Sequence, residues 1–167
     1  MIGYLDIETS FERDVTVVGL MRSDRGLVQV VGEAITREVL DDLFGGLDTL
    51  CTFHGEGFDL PVLKERFDLD LFGRFRSLDL FDECRRVGRN GGLKRIEVGL
   101  QIPRSLRGVN GYDAMVLWEK WQQGDRDALS TLLQYNADDV WNLALLERRL
   151  RGDLEAPEQI QPTVVGA

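Results

Sequence analysis

The 167-residue sequence predicts an α/β fold: a central mixed sheet, made of an antiparallel hairpin plus parallel strands, with helices flanking it. Three observations predict it. Short β-rich runs occupy the first third of the chain. A turn sequence, Ser23-Asp24-Arg25-Gly26, joins two of those runs. Beyond residue 58 the apolar residues recur at helical spacing.

Residues 2–7 read as the first strand, with Ile2, Tyr4, Leu5 and Ile7, and residues 15–21 as the second. Residues 27–31 follow as the third, closing the hairpin. Thr36 is placed to cap a short helix through Phe44, which Gly45-Gly46 ends. Residues 49–53 read as a strand buried on both faces. A helix over 58–67 carries Phe58, Leu60, Val62, Leu63 and Phe67. Ser77 is expected to cap a helix running to Val87, with Gly88 as its stop. A short helix around 93–100, another over 113–123 and a long one over 126–150 complete the series. Residues 1–150 thus form one domain, and 151–167, with two prolines and no amphipathic pattern, are expected to be a loose, flexible tail.

Composition excludes several classes. With 43% hydrophobic and 29% charged residues the chain is ordinary for a globular protein. No apolar run reaches the roughly 18 residues of a membrane span, and the N-terminus lacks the basic-then-apolar pattern of a signal peptide. A cytoplasmic location is therefore expected, with Cys51 and Cys84 as reduced thiols that form no C-x-x-C pair and suggest no zinc site. A single histidine, His54, rules out chemistry needing a histidine pair. The net charge of −9 argues against a protein that coats nucleic acid by bulk charge, but not against carboxylates that bind cations and, through them, phosphates.

The chemistry is carried by three motifs. Asp6-Ile7-Glu8 lies within the first strand, where alternation points both carboxylates to one face. Paired carboxylates on an apolar strand are costly unless a divalent cation neutralises them, although alone the pair reads equally well as a strand end facing water. Asp59, after His54-Gly55-Glu56-Gly57-Phe58, stands at a helix start, where it suits the helix dipole or reaches a site. Tyr135 and Asp139 are four apart on the long helix and share a face beside its apolar stripe.

Taken together, these motifs resemble the DEDD superfamily of 3′→5′ exonucleases, which includes polymerase proofreading domains and the ribonuclease D type. The first family motif is D-x-E, here Asp6 and Glu8. The second is an Asn ahead of an aromatic-Asp pair, here His54 and Phe58-Asp59. The third is Y-x-x-x-D, here Tyr135 and Asp139. Order and spacing agree over residues 2–148. Gln134 stands where a sister subgroup has histidine, so the tyrosine (DEDDy) subgroup is the match. Phe58-Asp59-Leu60-Pro61-Val62-Leu63 is similar to the second motif of ribonuclease-H-like, YprB-like predicted exonucleases.

The resemblance implies a ribonuclease-H-like three-layer fold. It also implies a metal site of Asp6, Glu8, Asp59 and Asp139 holding two divalent cations, Mg²⁺ or Mn²⁺, with Tyr135 as a further catalytic group. Asp138 is the alternative ligand to Asp139. The implied substrate is the 3′ end of single-stranded DNA or RNA, with nucleoside 5′-monophosphates as products. Substrate contacts are expected from Thr9, His54, Phe58, Arg85, Arg86, Lys94 and Arg95. His54, where relatives have Asn, either contacts sugar or base or is structural. Residues 85–107 hold seven cationic side chains, including Arg89, Arg104 and Arg107, against Glu97 alone, and form either a phosphate-binding rim or solvated helix faces. Trp118 and Trp121, three apart, are expected in the core. Two other readings remain beside the exonuclease: a catalytically inactive nucleic-acid-binding or scaffold module of the same fold, and a structure-specific endonuclease. Specificity or processivity is expected from a protein partner or a homo-oligomer.

Overall fold

The computed structural model describes residues 1–153 and 161–166. Three strands open the chain: β1 (Ile2–Thr9), β2 (Val15–Arg22) and β3 (Gly26–Val31). After a short 3₁₀ turn come α1 (Arg37–Phe44), β4 (Thr49–Thr52), α2 (Asp59–Phe67), β5 (Arg76–Asp79) and α3 (Leu80–Arg86). Then follow α4 (Leu93–Leu100), α5 (Gly111–Gln122), α6 (Arg126–Leu150) and β6 (Thr163–Val165). The strands form one sheet in the order β5-β4-β1-β2-β3-β6. β1, β2 and β3 pair antiparallel, whereas β4, β5 and β6 join in parallel. The expected mixed sheet is therefore present, and β1 lies in its interior.

Alternation along β1 sorts the layers. Leu5 and Ile7 face a core with Val18, Leu20 and Val30, covered by Leu40, Leu43 and Phe44 of α1 and Leu60, Val62 and Leu63 of α2. The opposite face meets α6 and the helices beside it, α3, α4 and α5. Asp6 and Glu8 lie on that second face, as their spacing demands. The capping signals are met locally. Thr36 Oγ1 accepts from Val39 N at 3.3 Å, and Asn110 caps α5 with Asp113 completing a capping box.

Two expectations are corrected. Ser77 does not cap a helix: it lies in β5, opposite Leu50 of β4, and α3 starts three residues later with Asp79 as its cap. A four-residue, half-exposed edge strand is too short to show a period of two, so tertiary pairing decided it. Residues 163–165, read from the sequence as part of a loose tail, pair with β3. The remainder of that expected tail, 154–160 and 167, lies outside the described residues.

Gly19, opposite Asp6 in the β1–β2 register, sets how closely α6 approaches. A Cβ there would stand 2.2 Å from Asn136 Oδ1 and 2.8 Å from Val140 Cγ2. Gly19→Ala is expected to push α6 off the sheet and cost about 1–3 kcal/mol in denaturant unfolding. Unchanged stability would show that α6 is not seated on this glycine.

Candidate active site

β1 delivers Asp6 and Glu8 to the α6 face, and α6 brings Tyr135, Asn136 and Asp139 down onto them. Ligand oxygens of Asp6, Glu8 and Asp139 lie within 4.8 Å of one another, a group able to hold a metal ion. Asp59 arrives from the first turn of α2. Its Oδ1 accepts from Ile7 N at 3.2 Å, which ties the carboxylate to β1 beside that group and not within it. Asn136, seated by Gln29 Nε2 on its Oδ1 at 2.9 Å, donates through Nδ2 to Asp6 Oδ2 at 3.0 Å.

Burial dominates the electrostatics. Asp6 is held well above the usual carboxylate range by burial, then by the charges of Asp139, Glu8 and Asp59, with the Asn136 bond opposing them. Glu8 is raised by burial and by Asp139, while Lys94 pulls the other way. Asp59 is pushed up to about 7 by burial, against the backbone bonds it accepts. Asp139 is raised by burial, although Arg104 and Lys94 favour its charge. Glu8 Oε1 is buried and has no hydrogen-bond partner among the described residues. An orphaned hard oxygen among clustered carboxylates fits a divalent cation.

Tyr135 is 4% exposed, in an apolar cluster with Val17, Leu132 and Trp118. Lys94 Nζ donates to the Tyr135 hydroxyl and sits 4.3 Å from the ring centroid. Burial first, then the nearby carboxylates, raise the phenol well above its ordinary value. The hydroxyl therefore stays protonated, able to donate to or orient a water.

Glu97 was not read from the sequence as a site residue, and Arg104 was read only as part of the basic rim. Arg104 donates through Nε to Glu97 Oε2 at 2.6 Å and through Nη2 to Glu97 Oε1 at 3.0 Å, and Nη2 also contacts Asp139. Asn142 Nδ2 donates to Glu97 Oε1 at 3.0 Å. A signal was present: Lys94 and Glu97 are three apart on α4, as Asp139 and Asn142 are on α6, so each pair shares a helix face. Asp79 was missed as well. Its carboxylate accepts from His54 N at 2.7 Å and Glu56 N at 3.4 Å, and so shapes the passage from β4 into α2.

The other expected residues divide. Thr9 and Phe58 line a cavity of about 410 Å³ together with Asp6, Glu8, Tyr135 and Asp139. Lys94 and Arg95 line a second opening of about 300 Å³ against Asp6, Tyr135 and Asp139. His54 is exposed, has φ 63° and packs edge-on to Phe81 at 4.9 Å. Arg85 lies over the Phe81 ring and Arg86 pairs with Glu83, so neither is seen against the carboxylates. Asp138 is committed elsewhere: it accepts from Leu106 N at 2.9 Å and Gln134 Nε2 at 3.0 Å. Trp118 is buried in the core as expected, and Trp121, half-buried, packs against it at 4.6 Å.

A mixed sheet whose interior strand presents acidic residues to a long crossing helix defines an α/β protein of the ribonuclease-H-like class. Residues 3–151 match the RNase_H superfamily, and the chain belongs to that family. Among solved structures it is similar to the family B DNA polymerase from the hyperthermophilic archaeon Pyrobaculum calidifontis, with a TM-score of 0.70 and 18% identity. That similarity covers 89% of this chain but 24% of the polymerase, so the chain spans about a quarter of that protein's length. No curated protein matches it. Among the described residues no helix is long and apolar enough to cross a membrane.

Proposed function

We propose that the chain is a metal-dependent 3′→5′ exonuclease of the tyrosine DEDD subgroup, close to the YprB-like exonucleases, acting on single-stranded DNA or RNA. The observation that carries this reading is the meeting of Asp6, Glu8 and Asp139 within 4.8 Å, with an unpartnered Glu8 oxygen among them. Membership in the RNase_H superfamily supports a nuclease-type activity.

Asp6, Glu8 and Asp139 would hold the cations, and Asp59 would complete the set from α2. Two divalent cations, Mg²⁺ or Mn²⁺, would supply an activated water and charge stabilisation for the departing 3′ oxygen. Tyr135 orients that water through a hydroxyl kept protonated by its surroundings, and Lys94 fixes the hydroxyl in turn. Phe58 and Thr9, on one cavity, and Arg95, on the other, receive the terminal nucleotide and the strand behind it. His54, Arg85 and Arg86 would contact only the strand farther from the carboxylates. The reading keeps the protein in the cytoplasm, where the buried, free Cys51 and Cys84 stay reduced. A protein partner or a homo-oligomer would supply processivity.

The test is a cleavage time course on 5′-labelled single-stranded DNA and RNA with Mn²⁺, Mg²⁺ or EDTA, wild type beside Asp59→Ala. A metal-dependent ladder shortening from the 3′ end, and absent in the variant, is expected and names the polymer. Internal cuts on end-blocked strands would replace the exonuclease with an endonuclease, and no metal-dependent cleavage would leave a binding module. Tyr135→Phe is expected to slow cleavage by roughly 10²-fold while sparing Mn²⁺ affinity. Equal loss of both in a calorimetric and kinetic comparison would make Tyr135 a structural residue.

A further inference from the structure

Arg104 and Glu97 form an ion pair that the metal site touches but the mechanism above does not use. The Arg104 side chain is 9% exposed and that of Glu97 2%. Burying such a pair is costly, and hydrophobic packing would serve the fold as well. The contacts are uneven. Arg104 makes two bonds to Glu97, and Glu97 is anchored by Asn142, whose Nδ2 also donates to Pro103 O at 3.1 Å. Only the second Nη2 proton reaches Asp139. Nη1 is buried with no partner among the described residues, which leave the guanidinium incompletely satisfied.

Charge balance explains the arrangement. Asp6, Glu8, Asp59 and Asp139 carry four negative charges when ionised, which two divalent cations cancel, and Lys94 already adds a positive charge beside Glu8 and Asp139. A further fixed cation against Asp139 would then repel the metal, unless a carboxylate of its own neutralised it. Glu97 is that carboxylate. Without metal, the same guanidinium is the positive group in contact with Asp139.

We propose, on the basis of the exonuclease reading above, that Arg104 is a built-in counter-cation: shared between Glu97 and Asp139 in the metal-free site, it releases Asp139 when a divalent cation binds and falls back on Glu97. Arg104 and Glu97 are thus positioning residues that set cation affinity with opposite signs. Removing the arginine removes a competitor for Asp139. Removing the Glu97 charge gives the arginine wholly to Asp139 and leaves the loaded site with an uncancelled positive charge.

The experiment is calorimetric titration of Mn²⁺ into the full chain without nucleic acid, for wild type, Arg104→Gln, Arg104→Lys and Glu97→Gln, with circular dichroism to establish folding. Arg104→Gln is expected to bind Mn²⁺ roughly tenfold tighter, Glu97→Gln roughly tenfold weaker, and Arg104→Lys close to wild type. A pair that serves only the fold would weaken binding in both neutral variants. Should Arg104→Gln not fold, the contrast between Glu97→Gln and Arg104→Lys decides, and equal affinities overturn the role. Wild-type binding with Arg104→Gln no tighter overturns the Arg104 role alone. Absence of Mn²⁺ binding in every variant removes the metal site, and the exonuclease reading with it.

Discussion

Glu8→Gln is expected to make the protein more stable and far less active. In EDTA near about pH 8 the variant should gain about 1 kcal/mol or more, a rise of roughly 2–4 °C in the unfolding midpoint. With Mg²⁺ or Mn²⁺ it should cleave at least roughly 10²-fold more slowly than wild type. Both signs have one cause. Glu8 is buried, its Oε1 has no partner among the described residues, and its charge lies against those of Asp139 and Asp59. Lys94 offsets part of this cost, but burial and the two neighbouring charges outweigh it, and a bound cation would offset the rest. An amide of the same shape relieves the repulsion and removes a hard ligand. Thermal melts in EDTA and initial cleavage rates check the two halves separately. A variant that melts below wild type would mean that the pull of Lys94 outweighs burial and repulsion at Glu8, and one that cleaves normally would take Glu8 out of the site.

The metal-free protein is expected to lose stability as pH rises from about 4 towards about 7. Asp59 moves from its ordinary 3.8 to about 7 on folding, through burial in the first place. Asp6, Glu8 and Asp139 move in the same direction. Across that window the native site keeps protons that the unfolded chain has released. The native state therefore binds more protons, and unfolding becomes easier with each step in pH. Asp59 alone accounts for a change on the order of 4 kcal/mol over the window. Saturating Mn²⁺ should flatten the dependence, because cations take the place of the protons. Unfolding midpoints measured at several pH values in EDTA and in Mn²⁺ provide the check. A midpoint in EDTA that climbs towards neutral pH would mean the carboxylates are already compensated by protein groups.

Much of the carboxylate cluster was legible because its residues sit on regular elements with known periods. A period of two puts Asp6 and Glu8 on one face of β1, and a spacing of four puts Tyr135 and Asp139 on one face of α6. Asp138, adjacent to Asp139, points about a quarter-turn away, which is why it serves the 106 loop instead. The rim was less legible. Of the basic residues between 85 and 107, charge density alone could not separate Lys94, which reaches Tyr135, from Arg86, which pairs with its own helix at Glu83. Helical spacing makes the distinction only once the partner helix is known. Asp79 was hidden for a similar reason: its role is to bind the backbone at His54 and Glu56, which depends on β5 lying beside β4.

The sequence by itself determined the mixed α/β pattern, the β2–β3 hairpin, the long α6 and the faces on which Asp6, Glu8, Tyr135 and Asp139 lie. These follow from local periodicity, turn chemistry and caps, which act over a few residues. The tertiary structure alone decided the two edge strands, the attachment of Asp59 to the Ile7 amide, and the pairing of Arg104 with both Glu97 and Asp139. Edge strands this short have little propensity of their own and form because a neighbour offers its backbone. Glu97, Arg104, Asp139 and Asn142 come from α4, a loop and α6, and only the packing of α4 and α6 on one side of the sheet sets which charges meet there.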